Sequence, residues 1–249
     1  MTRTHIAHAL VTVLVAGIAA GAEANPLTRV QYTNLNTLEI VDQVSSSAQT
    51  IDTQTIDLFA DYGDIGIRVT SKESFASASW FDEWIVTGGS GTIEVMWSLD
   101  GSITLDAPAS VCTTCTVDPA TVTYSSLFGS SSIFTSGSLI DTFTQSGAGT
   151  LSVNRTGSLF IDYVSGQMFG AGFRLNGGFS DDFYGGSLDF LNTALLTAII
   201  LPQGATLITA SGAQYNVVNP QPVPEPSTLL LFGPGLAYLG GRGWRSRKR

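Results

Sequence analysis

The sequence predicts an all-β exported protein built around a single antiparallel β-sandwich. Three observations carry that expectation. Charged residues make up 12% of the 249-residue chain, about half the share usual in soluble proteins, while Ser and Thr together number 55 and Gly 27. Between residues 25 and 222 the apolar residues keep no helical period; they fall in short β-branched and aromatic runs broken by Gly, Ser, Asn and Asp, the pattern of a sandwich or barrel. Each end of the chain also carries an apolar stretch of its own, so the positive mean hydropathy of +0.23 does not describe the body.

Residues 1–24 form the pattern of an export signal. Arg3 precedes an apolar run from Ile6 to Ala20, and Ala22-Glu23-Ala24 places small residues at the −3 and −1 positions of a cleavage site. Cleavage after Ala24 leaves Asn25 as the new N-terminus and implies passage through Sec-type export machinery. The body of the protein is then residues 25–218, with residues 219–222 as a linker.

Along the body, Thr50 to Phe59 alternates polar and apolar, and Ile65 to Thr70 predicts a second short strand. Trp80–Thr87 and Thr92–Leu99 flank Gly88-Gly89-Ser90-Gly91, a strong hairpin signal. In the second arm Ile93, Val95, Trp97 and Leu99 share one face, which assigns Trp97 to the core. Asp100-Gly101 predicts a turn into Ser102–Leu105. Further strands are expected at 122–125, 133–144, 150–154 and 159–164. The glycine-rich stretch 166–187 predicts tight turns or an irregular strand pair. Leu195–Leu201 is apolar on both faces and suits a central strand, and strands at 205–210 and 215–218 end the body.

Charge and histidine content exclude several function classes. Residues 25–222 hold 5 basic and 18 acidic side chains, a net of −13, against −9 for the whole chain. Such a body is expected to repel nucleic-acid phosphates and anionic lipid heads. His5 and His8 are the only histidines, and both leave with the signal. Ser-His-Asp and Cys-His nucleophile systems and His-based metal sites are thereby excluded, and no cofactor, metal site or catalytic set is expected.

The remaining candidate chemistry is thin. Cys112 and Cys115, set among β-branched residues with no helix behind them, are expected to form a local disulfide in an oxidising compartment rather than a redox or zinc site. Asp61-Tyr62-Gly63-Asp64, Asp82-Glu83 and Asp181-Asp182 offer oxygen ligands for Ca²⁺ but match no calcium loop, and solvated turn carboxylates are the favoured reading. Asp82, Glu83 and Glu94 could meet across the 80–99 hairpin as a carboxylate pair for glycoside hydrolysis, the least favoured reading. Trp80 and Trp84 share a face with Asp82; either they pack inside or they form a stacking surface for sugar rings. Asn154-Arg155-Thr156 fits a glycosylation sequon, a short motif of little weight by itself.

The most specific pattern is at residues 223–249. Val223-Pro224-Glu225-Pro226-Ser227 is followed by an apolar run, expected as a single transmembrane helix over about residues 228–241, and then by Arg242, Arg245, Arg247, Lys248 and Arg249. Basic residues after the run hold that end in the cytoplasm. The run is short for a durable span and contains Pro234, which suits a temporary anchor.

This order closely resembles the PEP-CTERM sorting signal of Gram-negative bacteria, which carries an ice-binding-protein C-terminal label in some descriptions. The resemblance implies processing near Pro224-Glu225-Pro226 by an exosortase, a membrane-embedded cysteine transpeptidase. The segments Ala76–Asp82 and Asp189–Ala194 also resemble stretches carried by proteins with this signal, which implies a sandwich of jelly-roll type. Together these expectations describe a structural or adhesive protein of the cell surface, biofilm or extracellular matrix, with an extracellular polysaccharide as the alternative partner.

Overall fold

The computed structural model describes residues 26–34, 37–70, 74–106, 120–129, 133, 137–179 and 185–219, excepting the side chains of Asn192 and Thr193. The signal segment, Cys112, Cys115, Asp181, Asp182 and the whole of 220–249 lie outside the described residues.

Fourteen strands and no helix are found among the described residues. They are β1 Leu27–Asn34, β2 Glu39–Ser45, β3 Gln49–Asp52, β4 Ile56–Asp61, β5 Asp64–Val69, β6 Ser74–Thr87, β7 Gly91–Leu105, β8 Ala120–Ser126, β9 Ser138–Gln145, β10 Gly149–Tyr163, β11 Met168–Gly178, β12 Gly186–Ile200, β13 Thr206–Thr209 and β14 Val217–Val218. Sheet A runs β2-β1-β6-β11-β8-β9, with β13 added to β6; sheet B runs β10-β7-β12-β5-β4-β3, with β14 added to β12. The two sheets pack face to face. Trp97 of sheet B meets Tyr124 of sheet A with ring centroids 5.3 Å apart, and one apolar core runs from Val30 to Ala205.

Inward residues alternate cleanly where strands have one wet face. In β6, Ser74, Ala76, Ala78, Trp80, Asp82, Trp84 and Val86 point inward; in β7, Ile93, Val95, Trp97, Leu99, Ile103 and Leu105 do so. Phe81 points to the opposite face, where Leu127 and Ile133 cover it. Most of the Leu195–Leu201 stretch falls at the end of β12, which pairs with β7 on one side and, on the other, with β5 up to Leu195 and with β14 at Ile199 and Ile200.

Four expectations are corrected. First, β6 and β7 do not form a hairpin: β6 pairs with β1, β11 and β13, and β7 with β10 and β12. Each strand buries its own apolar face in the shared core, so the Gly88–Ser90 link crosses from one sheet to the other. Gly88 makes the crossing possible, since its φ is +95° and a Cβ there would lie 2.4 Å from the Gly204 carbonyl oxygen.

Second, Asp100-Gly101 does not turn; β7 continues through it, and the missing side chain of Gly101 leaves room for the Phe190 ring. The stretches 150–154 and 159–164 likewise merge into β10. Third, much of the glycine-rich stretch 166–187 is the regular strand β11. There Gly172 brings the backbone against β6: a Cβ would sit 2.2 Å from the Trp80 carbonyl oxygen.

Fourth, the alternating stretch from Thr50 is two strands, broken between Asp52 and Ile56, where the Thr53 hydroxyl accepts from the Ile56 amide and donates to the Ile56 carbonyl. The structure also adds β1 and β2, which the alternation does not announce. Two of the four inward residues of β1 are the polar Thr28 and Asn34, and β2 is an edge strand with no residue fully buried.

Candidate functional site

The described residues bring one polar cluster into the core, centred on Asp82. The alternation of β6 forces this carboxylate inward between Trp80 and Trp84, and it is fully buried. Burying a charge requires donors, and four converge here. One oxygen accepts from the Glu83 amide at 2.8 Å and the Ser211 amide at 3.0 Å. The other accepts from the Ser211 hydroxyl at 2.6 Å and the Tyr215 hydroxyl at 2.9 Å. The Tyr215 ring lies 5.7 Å from Trp80 and 5.1 Å from Trp84, so it plugs the space between the two indoles. Burial, with the Asp82 charge beside it, pushes the Tyr215 hydroxyl far above its ordinary range.

The clasp ties down the last stretch of the body. The Ala210 amide donates to the Glu83 carbonyl at 2.9 Å, and the Leu201 amide to the Val218 carbonyl at 3.0 Å. The chain leaving at Asn219 therefore starts from a fixed point on the sandwich.

The Asp61–Asp64 hairpin packs beside this cluster. Gly63 faces the Tyr215 ring, and its carbonyl accepts from the Leu196 amide at 2.7 Å. Burial, the Asp82 charge and the Asp61 charge push the Tyr62 hydroxyl up to about 12. Asp61 and Asp64 are the closing pair of the hairpin, and one oxygen of Asp64 is buried with no hydrogen-bond partner among the described residues. Burial, aided by the Asp61 charge, raises the Asp64 carboxyl from 3.8 to about 6.

The folded state thus holds this proton more tightly than the unfolded chain. The stability it adds is complete below about pH 4 and is lost as pH rises through about 6. Asp64→Asn is expected to flatten the thermal-stability profile across that window and to raise the melting temperature at neutral pH. Melting curves at a series of pH values check this, and an unchanged slope contradicts it.

Trp80 and Trp84 are not surface residues. Both indoles have zero exposure, boxed in by Phe173 at 5.8 Å from Trp80 and by Phe128 and Phe169 at 5.5 and 6.2 Å from Trp84. The expectation of a glycan-stacking pair is corrected: alternation on β6 sends both to the inner face with Asp82. Trp97 is buried in the core, as its apolar neighbours on β7 predict.

Asp82, Glu83 and Glu94 do not converge. Asp82 is inside, Glu83 is on the outer face of sheet A, and Glu94 on sheet B accepts the Ser158 hydroxyl at 2.6 Å. Both Asp82 oxygens are taken up by internal donors, which leaves the carboxylate no reach toward an outside substrate. Among the described residues, no three His, Cys, Asp or Glu side chains gather as a cation site. The clasp itself escapes sequence reading because Asp82 and Ser211 are 129 residues apart.

The sorting residues lie beyond the point where the clasp ends. The family model described as the PEP-CTERM protein-sorting motif matches residues 222–248. The chain carries a PEP-CTERM sorting motif. That motif implies an exported protein targeted to an exosortase, and its match spans Pro224, Glu225, Pro226, Ser227, the apolar run and the basic residues from Arg242 to Lys248. No curated protein matches the chain.

Among solved structures, the adhesin domain of Epf from Streptococcus pyogenes is similar at 11% identity and a TM-score of 0.29, covering 70% of this chain. The chain spans 58% of that domain's length. The Cowpea mosaic virus top component is similar at 13% identity and a TM-score of 0.19, with 67% of this chain and 88% of that one covered. Neither likeness is close enough to bear on function.

Proposed function

We propose that this PEP-CTERM chain is a non-catalytic surface protein. It is exported, held for a time in the inner membrane by its C-terminal apolar run, processed near Pro224-Glu225-Pro226 by an exosortase, and delivered to the cell surface or extracellular matrix as a structural or adhesive β-sandwich. The matched sorting motif carries this reading. Two features of the body support the non-catalytic part: it holds no histidine once residues 1–24 are removed, and the one fully buried carboxylate among the described residues is spent on internal donors. A polysaccharide-binding role loses its candidate residues with the burial of Trp80 and Trp84.

Labelling of intact cells tests the destination. Antibody against the body should stain the outside of cells that express the full chain, and staining should fall when Pro224, Glu225 and Pro226 are all replaced by Ala, with the protein collecting in the membrane fraction. Equal surface staining of the two strains would overturn the reading.

A further inference from the structure

Three connections crowd one end of the sandwich: residues 88–90 between β6 and β7, 164–167 between β10 and β11, and 201–205 between β12 and β13. They touch one another. The Gly166 amide donates to the Val86 carbonyl at 2.9 Å, Gly88 abuts the Gly204 carbonyl, and Gly91 lies against Pro202. The C-terminal tail leaves from this same end, because β14 runs parallel to β12 and reaches Val218 opposite Ile200.

This end differs chemically from the rest of an acidic body. Residues 84–93, 163–173 and 198–219, at and near it, contain no charged side chain. Met168, Ile85 and Ile208 stand in register across β11, β6 and β13 on the outer face of sheet A. Met168 is 53% and Ile208 55% exposed, and Val164, Val217 and Val218 are exposed nearby. The nearest outward-facing carboxylates are Glu83, two residues from Ile85 on the same face of β6, and Glu94 and Asp162 on the sheet B rim, opposite Ile200 and Thr92, where they accept hydroxyls from Ser158 and Thr92.

Chain length limits what this end can meet. Five residues separate Val218 from Pro224, and nine separate it from Thr228, where the apolar run begins. Fully extended, the second stretch reaches roughly 35 Å. Strand β7 alone, at 15 residues, is about 50 Å long, so an upright body keeps its opposite end away from the place where the run begins. A body of net −13 meets an anionic bilayer with least repulsion through the end where carboxylates are fewest.

From the apolar row at this carboxylate-poor end and the short tether we infer that, while the tail anchors the chain, the 88–90, 164–167 and 201–208 end of the sandwich rests on the lipid surface. Met168, Ile85 and Ile208 enter the interface between headgroups and acyl chains. This rests on the anchoring reading above. The body is then held end-on, with the Pro224-Glu225-Pro226 segment close to the bilayer, where a membrane-embedded processing enzyme can reach it.

Photocrosslinking of the full chain in vesicles of phosphatidylethanolamine and phosphatidylglycerol tests this. Separate variants carry p-benzoylphenylalanine in place of Ile208, of Met168, or of Leu38, which is exposed in the β1–β2 turn at the opposite end. The expected result is several-fold more lipid adduct at 208 and 168 than at 38. Having two probes at the lipid-facing end keeps the test valid if one variant misfolds. A chain that floats with the vesicles but gives equal adducts at both ends overturns the docking and leaves the anchoring intact. Crosslinks from 208 to a second copy of the chain in place of lipid also overturn it. A chain that fails to float removes the anchoring reading and the docking with it.

Discussion

Trp84→Ala is expected to destabilise the protein by about 4 kcal/mol, in the range for emptying a buried aromatic site. Trp84 has no exposed surface and meets Trp80, Phe128, Phe169 and Tyr215, ring against ring, at 5.1 to 6.4 Å. These partners come from β6, the segment after β8, β11 and the C-terminal stretch, so the cavity cannot close by moving one of them alone. Urea unfolding should show a lower midpoint with little change in slope. The variant also separates two roles for the indole. A stacking residue at the surface would lose glycan binding while stability held; a core residue loses stability first. An unchanged midpoint would contradict the burial.

The second large effect is at Asp82. Asp82→Ala removes the acceptor of four donors at once and leaves the Ser211 and Tyr215 groups in the core without a partner. Hydrogen bonds to a charged group contribute about 1.5–3 kcal/mol each and are not additive, so a loss of about 3 kcal/mol is expected. Asp82→Asn should cost less, since it keeps one carbonyl oxygen and its volume. The local consequence is more specific than the global one. Residues 205–219 should become cleavable by a non-specific protease and should exchange the Ala210 amide faster, because that amide is held to Glu83 next to the lost carboxylate. Protection of 205–219 equal to the parent protein would show that the clasp does not hold the segment.

How far these features were legible in the sequence follows from the range of the interactions involved. The all-β class and the core face of β7 depend on period-2 alternation within one strand, and the central place of β12 on a run that is apolar on both faces. Alternation near Trp80 likewise places Trp80, Asp82 and Trp84 on one face, but it cannot say whether that face is dry. That depends on Phe128, Phe169, Phe173 and Tyr215 arriving from three other parts of the chain.

The Gly88–Ser90 link shows the same limit from the other side. Two strands around a glycine-rich turn suit a hairpin locally, yet each has a long apolar face to bury. Crossing between sheets buries both, and the close contact of Gly88 with Gly204 fixes the crossing. Likewise, the glycines of β11 suggest turns until the neighbouring backbone of β6 is in place. The sorting motif is legible because its recognition depends on contiguous residues, whereas the clasp 129 residues apart in sequence has no local signature.

Export and processing both act on the ends of the chain. Intact-mass measurement of the protein recovered from a host with an active exosortase, set beside the same host lacking it, tests this most directly. The predicted product begins at Asn25 and ends near Pro224-Glu225-Pro226 in the first strain, and retains the basic tail to Arg249 in the second. A C-terminus at Arg249 in both strains would contradict it.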